Sequence, residues 1–171
     1  MSTRACVAYT DTKQKWVGVY SHYDGYPEGL GKTIWNILHK DFINNKGEIG
    51  VMNDKNPENA INAFIEIYIK GHQGGWSSFG KECYCHSPAF VMRDGISDTI
   101  RTNDNVDPLS IEYIYIIDKK KKEMIILENK EFKKAGENEW GKIIDYKHCI
   151  YGYKLLTKID LLGKEPDWEN L

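Results

Sequence analysis

The strongest constraint on the fold lies in residues 111–117, which read I-E-Y-I-Y-I-I. Apolar side chains occupy almost every position, so an extended segment here would be buried on both faces, as in the central strand of a sheet. Asp118 and four lysines separate this run from a second apolar run at residues 124–127. That arrangement predicts a hairpin. We interpret Lys119 to Lys122 as a solvated hairpin tip that discourages edge pairing, with a phosphate-binding role as the alternative.

Two further β-prone runs lie near the N-terminus, at residues 5–9 and 16–23, and the polar segment between them predicts a second hairpin. Helical spacing of apolar residues follows at residues 32–43. Another helix is predicted from Asn56, as N-cap, and Pro57, as first helical residue, to a stop at Gly71. The region 140–153 is β-prone, and we interpret the residues after it as a tail.

These patterns predict one α+β domain spanning residues 1–171, with an antiparallel sheet of two hairpins plus additional strands packed against two main helices. Lys and Arg total 23 against 25 Asp and Glu, a net charge of −2. This balance gives no general attraction to duplex nucleic acid or anionic membranes. The N-terminus shows no apolar signal segment, and no apolar run approaches the roughly 20 residues of a membrane span. With four cysteines and no signal peptide, we expect a cytoplasmic protein with reduced thiols.

The most unusual stretch is residues 20–33, Y-S-H-Y-D-G-Y-P-E-G-L-G-K-T, between a predicted strand and a predicted helix. Asp24 and Gly25 suit a turn in which the glycine takes positive φ. Gly29 and Gly31 precede the helix, where exposed N–H groups favour an anion. Lys32 in the first helical turn would oppose the helix dipole, which is more easily understood if it faces a phosphate or carboxylate.

We therefore predict a site for a phosphate-containing, nucleotide-like small molecule, with tyrosines stacking on a base. Its candidate ligand-binding residues are Tyr20, His22, Asp24, Gly25, Tyr26, Gly29, Gly31, Lys32 and Thr33. The alternative is a rigid strand-to-helix connection that carries a surface lysine. No catalytic residue, cofactor or metal ligand is assigned. The G-K-T sequence is not a P-loop, because the position five residues before Gly31 is Tyr26 and not glycine.

A zinc site is a weaker hypothesis, because C-x-C-H is not a usual structural zinc spacing and further ligands would come from distant segments. Its candidate ligands are Cys6, His72, Cys83, Cys85, His86, His148 and Cys149.

The sequence H-Y-D-G-Y-P-E-G-L-G resembles a motif, H/R-x-D-G-Y-P-x-G-x-G, of small, largely uncharacterised proteins of bacteriophages and mobile elements. The resemblance covers residues 19–38, and the residues that match the motif are His22, Asp24, Gly25, Tyr26, Pro27, Gly29 and Gly31. A phage-type protein of this kind would act in the host bacterial cytoplasm.

This resemblance and the anion-suited turn suggest an anti-defence protein that binds and sequesters a nucleotide-derived immune signal without catalysis. We expect it to form a homo-oligomer, because binding pockets are often shared at subunit interfaces. One alternative is a nucleotide-acting hydrolase or phosphoesterase, with His22 and Asp24 as an acid–base pair. Another is an inhibitor that binds a host defence protein through an aromatic surface such as Trp76, Phe79 and Tyr84.

Overall fold

A computed structural model describes residues 3–10, 16–21, 24–39, 57–70, 100–102, 111–129 and 153–171. Its strands are β1 (Ala5–Thr10), β2 (Trp16–Ser21), β3 (Ile100–Thr102), β4 (Tyr113–Asp118), β5 (Glu123–Glu128) and β6 (Lys154–Asp160). The α-helices are α1 (Lys32–His39) and α2 (Pro57–Phe64). A π-helical turn, Pro27–Gly31, leads into α1, and another, Ile65–Ile69, continues α2. A short 3-10 turn, Trp168–Asn170, lies near the C-terminus.

The described strands form one sheet in the order β3-β2-β1-β4-β5-β6. Both predicted hairpins are present, as β1 with β2 and β4 with β5. The predicted antiparallel sheet is confirmed in part, because the other described strand pairs are antiparallel but β1 and β4 pair in parallel, with Ala5 opposite Tyr113. The sheet is therefore mixed. Parallel pairing is possible here because a long connection that contains both helices separates the two hairpins.

Strand β4 is central, as its sequence predicts. It lies between β1 and β5, and all six of its residues are buried. Two apolar clusters explain why both faces are covered. Tyr113, Tyr115 and Ile117 share one cluster with the helices, whereas Ile114 and Ile116 belong to a second cluster on the other face.

Strand β6 lies in the segment that the sequence analysis assigned to a tail. It pairs antiparallel with β5, and Lys154 lies opposite Glu128. Its side chains are mostly part-exposed, in a pattern without clear alternation, so the sequence carries a weak signal for it. The β-prone region predicted at residues 140–153 lies outside the described residues except for Tyr153.

Helix α1 begins at Lys32 as predicted and is described to His39, while the predicted continuation to residue 43 lies outside the described residues. Ile34, Trp35, Ile37 and Leu38 form its buried face. Helix α2 begins at Pro57, with Glu58 in its first turn. Among the described residues, no helix has the length and apolar character needed to cross a membrane.

Candidate functional site

The turn that joins β2 to α1 is anchored where β1 and β4 begin. The Gly25 amide donates a 3.0 Å hydrogen bond to the carbonyl oxygen of Thr3, just before β1. The buried Tyr115 hydroxyl, from β4, donates a 2.7 Å hydrogen bond to the Gly25 carbonyl oxygen. Both polar groups of the Gly25 backbone are thus held by the central strands or their flanks, which fixes the turn on the sheet.

Asp24, and not Gly25, takes the left-handed conformation in this turn, with φ of 50°. Aspartate tolerates this region better than most residues, because its short side chain can bond locally. Gly25 is needed for a different reason. A Cβ atom there would lie 2.8 Å from the Ala5 Cβ and 2.8 Å from the Thr3 oxygen. The expectation of positive φ at Gly25 is therefore corrected to a requirement for close backbone approach.

The amides of the turn are largely engaged by the turn itself. Gly29 donates to the Tyr26 carbonyl oxygen at 3.0 Å, and Leu30 donates to the carbonyl oxygens of Asp24 and Tyr26 at 2.9 and 3.0 Å. The sequence analysis expected glycine amides to point toward an anion. With these donors already bonded, an anion at this turn would have to be bound mainly by side chains.

Gly31 provides space for two aromatic rings. A Cβ atom at this position would lie 2.8 Å from the Trp168 ring and 3.2 Å from the Tyr115 ring. Both rings belong to buried residues, so neither can move aside easily. Gly31 thus lets α1 start directly against the sheet and the C-terminal segment.

Lys32 is exposed at the start of α1, but the helical rotation begins earlier, at Pro27. The first turn contains Glu28, which suits the positive end of a helix dipole. Lys32 follows one turn later, so its predicted conflict with the dipole is weaker than expected. Within the described residues, Lys32 forms no ion pair. The neighbouring Thr33 hydroxyl donates to the Gly29 carbonyl oxygen at 2.8 Å.

The tyrosines of the predicted site do not converge. Tyr20 packs against the cluster that contains Cys6 and Ala8, on the sheet face opposite α1. Tyr26 is 40% exposed, and its ring lies close to Gly29. His22 lies outside the described residues. Asp24, Tyr26 and Lys32 therefore present accessible side chains along the turn, while Tyr20 contacts a different surface.

No family model, curated protein or solved structure matches the chain. The assignment of function consequently depends on the residues of the turn and their surroundings.

Arg4, which the sequence analysis did not select, lies in the segment that anchors the turn. It is exposed, and it directly follows Thr3, which accepts the Gly25 amide. No ion pair of Arg4 occurs among the described residues. Arg4 and Lys32 are 28 positions apart in sequence, and the Thr3–Gly25 bond brings the segment of Arg4 next to the turn. Within the described residues, exposed cations without an ion pair thus occur both in the helix after the turn and in the segment that anchors it.

A buried polar group lies on the same end of the sheet. The Tyr113 hydroxyl donates to Glu128 Oε1 at 3.3 Å, and Lys154 Nζ lies 3.4 Å from Glu128 Oε2. Glu128 is 1% exposed.

Burial raises the pKa of Tyr115 well above its ordinary value of 10.0, and the neighbouring charges of Tyr113 and Glu128 act in the same direction. Tyr115 therefore stays a neutral hydrogen-bond donor to Gly25.

The described part of the chain contains no group of three or more His, Cys, Asp or Glu side chains that could hold a metal ion. Cys6 is buried. The other residues of the zinc hypothesis lie outside the described residues, as do Trp76, Phe79 and Tyr84 of the aromatic-surface hypothesis.

Proposed function

We propose that the chain is a non-catalytic binding protein that sequesters a phosphate-containing, nucleotide-like molecule at the edge formed by Arg4 and the turn from Asp24 to Lys32. The observation that carries the proposal is a turn whose backbone is held in place, with two exposed cations in the segments that flank it, Arg4 and Lys32, that form no ion pair within the described residues. Guanidinium and ammonium groups are the usual partners of phosphate oxygens.

Rigidity of the turn supports binding without catalysis. Hydrogen bonds from Tyr115 and to Thr3 hold Gly25, and the following amides are bonded within the turn. A ligand would therefore meet side chains on a preorganised backbone, which lowers the entropic cost of binding. Tyr26, with an accessible ring at the start of the turn, supplies a surface on which a base could stack.

The proposed role in countering host defence follows from the resemblance to phage proteins, and it specifies a nucleotide-derived immune signal as the ligand. A homo-oligomer is part of the same proposal. Native mass spectrometry of protein purified from bacterial cells that are producing the immune signal would identify a small molecule retained by the protein. Recovery of the intact molecule after denaturation supports sequestration, whereas a chemically altered molecule supports the hydrolase alternative with His22 and Asp24.

Charge-removal variants test where the molecule binds. With a panel of linear and cyclic nucleotides as probes, we expect Arg4→Ala and Lys32→Ala each to weaken binding by about tenfold, the effect of one charge-assisted hydrogen bond. Both side chains are exposed, so the melting temperature should hardly change.

Lys120→Ala is the matched control, because Lys120 is exposed at the opposite end of the sheet, in the turn after β4. It removes the same charge and should leave binding unchanged. Equal weakening by all three substitutions would indicate nonspecific electrostatics, and no binding by any probe would leave the protein-binding inhibitor as the better hypothesis.

A further inference from the structure

His39, the last described residue of α1, has both of its ring nitrogens within hydrogen-bonding distance of carbonyl oxygens. Nδ1 lies 2.8 Å from the oxygen of Trp35, one turn earlier in the same helix. Nε2 lies 2.8 Å from the oxygen of Leu161, which is 122 residues away in sequence. Carbonyl oxygens only accept, so each contact requires an N–H group on the ring.

A neutral imidazole has one N–H and one lone pair, so it can satisfy only one of these oxygens. The other nitrogen would then direct its lone pair at a carbonyl oxygen at 2.8 Å. The imidazolium ion donates to both. A further feature favours the charged ring, which stacks on Trp35 with the ring centroids 3.7 Å apart.

The contact with Leu161 connects α1 to the C-terminal strap, which we define as residues 161–171. The strap contacts α1 at two places. His39, the last described residue of the helix, bonds the Leu161 carbonyl oxygen, and the Trp168 ring packs against Gly31 just before the helix begins. Trp168 also contacts Trp35 edge to face, with centroids 6.4 Å apart. His39 thus supplies a polar contact between the strap and the helix, beside the aromatic contacts of Trp168.

We propose that His39 is a proton-operated clamp that fastens the C-terminal strap to α1 when its ring is charged and loosens it when the ring is neutral. Loss of the proton to solvent removes one of the two hydrogen bonds and leaves a lone pair facing a carbonyl oxygen. The ring must then turn away from that oxygen, which disturbs the stack on Trp35 or the bond to Leu161. Imidazoles exchange this proton at about pH 5–8.

Two carboxylates at the end of β6 and in the strap accept hydrogen bonds from neighbouring N–H groups. Within the described residues, His39 forms no ion pair. Asp160 Oδ1 accepts the Leu162 amide, and Glu165 Oε1 accepts the Trp168 indole N–H. The remaining titratable side chains on α1, its preceding turn, α2 with its π-helical continuation, the end of β6, the turn between β4 and β5 and the strap are Asp24, Tyr26, Glu28, Lys32, Glu58, Glu66, Tyr68, Lys70, Asp118, Lys119, Lys120, Lys121, Lys122, Glu123, Lys158, Lys164, Asp167 and Glu169. Lys40 and Asp41 follow in sequence, outside the described residues.

NMR spectroscopy of the full chain with ¹⁵N-labelled histidine tests the clamp without any ligand, so the result is independent of the proposed binding function. At low pH we expect both His39 nitrogens to carry protons. As the ring deprotonates, the Gly163 amide and the Trp168 indole signals should shift with the same midpoint. Hydrogen-exchange protection of the strap, corrected for the intrinsic effect of pH, should fall by about tenfold, the effect of one hydrogen bond.

His39→Gln is the matched variant, because a neutral amide cannot change its charge over this range. In that variant the strap signals should no longer follow pH, while the other four histidines still titrate. Strap signals that stay constant in the wild-type protein while His39 titrates would overturn the proposal, as would a single protonated nitrogen at low pH. The wild-type titration decides the question even if the variant does not fold.

Discussion

The hydroxyl of Tyr115 donates a 2.7 Å hydrogen bond to the carbonyl oxygen of Gly25, 90 residues earlier in the sequence. This contact joins the central strand to the turn that contains the candidate binding residues. Burial of Tyr115 shields the bond from water. Because burial also raises the pKa of the hydroxyl, Tyr115 stays a neutral donor. Stability of the core and the geometry of the turn therefore depend on the same side chain.

Replacing Tyr115 with Phe should lower the free energy of unfolding by about 1–3 kcal/mol, because a buried carbonyl oxygen loses its donor. Urea denaturation at neutral pH measures the change. Tyr26→Phe is the control, since Tyr26 is 40% exposed and should tolerate loss of its hydroxyl. Equal stability of the Tyr115→Phe variant and the wild type would show that water or another donor replaces the bond.

Alkaline pH should destabilise the protein through Tyr115. Burial raises the pKa of this hydroxyl above its value in the unfolded chain, so its contribution is fully present below about pH 10 and declines at higher pH. Unfolding free energies measured from pH 8 to 11 should fall above pH 10, and less steeply in Tyr115→Phe. Identical slopes for the two proteins would assign the alkaline loss to other groups.

Gly31→Ala should destabilise the protein by about 1–3 kcal/mol, because the added methyl group overlaps the Trp168 ring. The better helix propensity of alanine offsets part of this cost, by up to about 1 kcal/mol. Gly163→Ala is the control at an exposed turn, where the nearest atom would lie 3.2 Å away. A stabilised Gly31→Ala variant would mean that propensity outweighs the contact with Trp168. Thermal and urea denaturation measure the stability of the Gly31→Ala and Gly163→Ala variants.

Lys122→Gly should stabilise the protein, by about 0.5–1 kcal/mol. Lys122 has φ of 56° at the end of the turn between β4 and β5, a conformation that strains residues other than glycine. Lys120→Gly removes the same charge from the same turn, at a position without positive φ, and should be neutral or slightly destabilising. The free energy of unfolding of both variants is measured by urea denaturation. If it rises equally in the two, relief of repulsion between the lysines, and not of backbone strain, explains the effect.

Local patterns were sufficient to predict the central strand, both hairpins and the starts of α1 and α2, because apolar spacing and helix-capping residues act over a few neighbouring positions. Strand β6 has no such pattern, since its part-exposed side chains do not alternate clearly. Its position is decided by pairing with β5.

In the candidate turn, too, some features could be predicted from the sequence and others depend on tertiary contacts. Its sequence alone indicated an unusual, glycine-rich backbone between a strand and a helix. Only the tertiary structure decided that Asp24 takes the positive φ, that Gly31 makes room for Trp168, and that Thr3 holds the Gly25 amide. It also decided the parallel pairing of β1 with β4. The physical reason is that each of these features depends on contacts or backbone constraints that residue type and spacing along the chain do not specify.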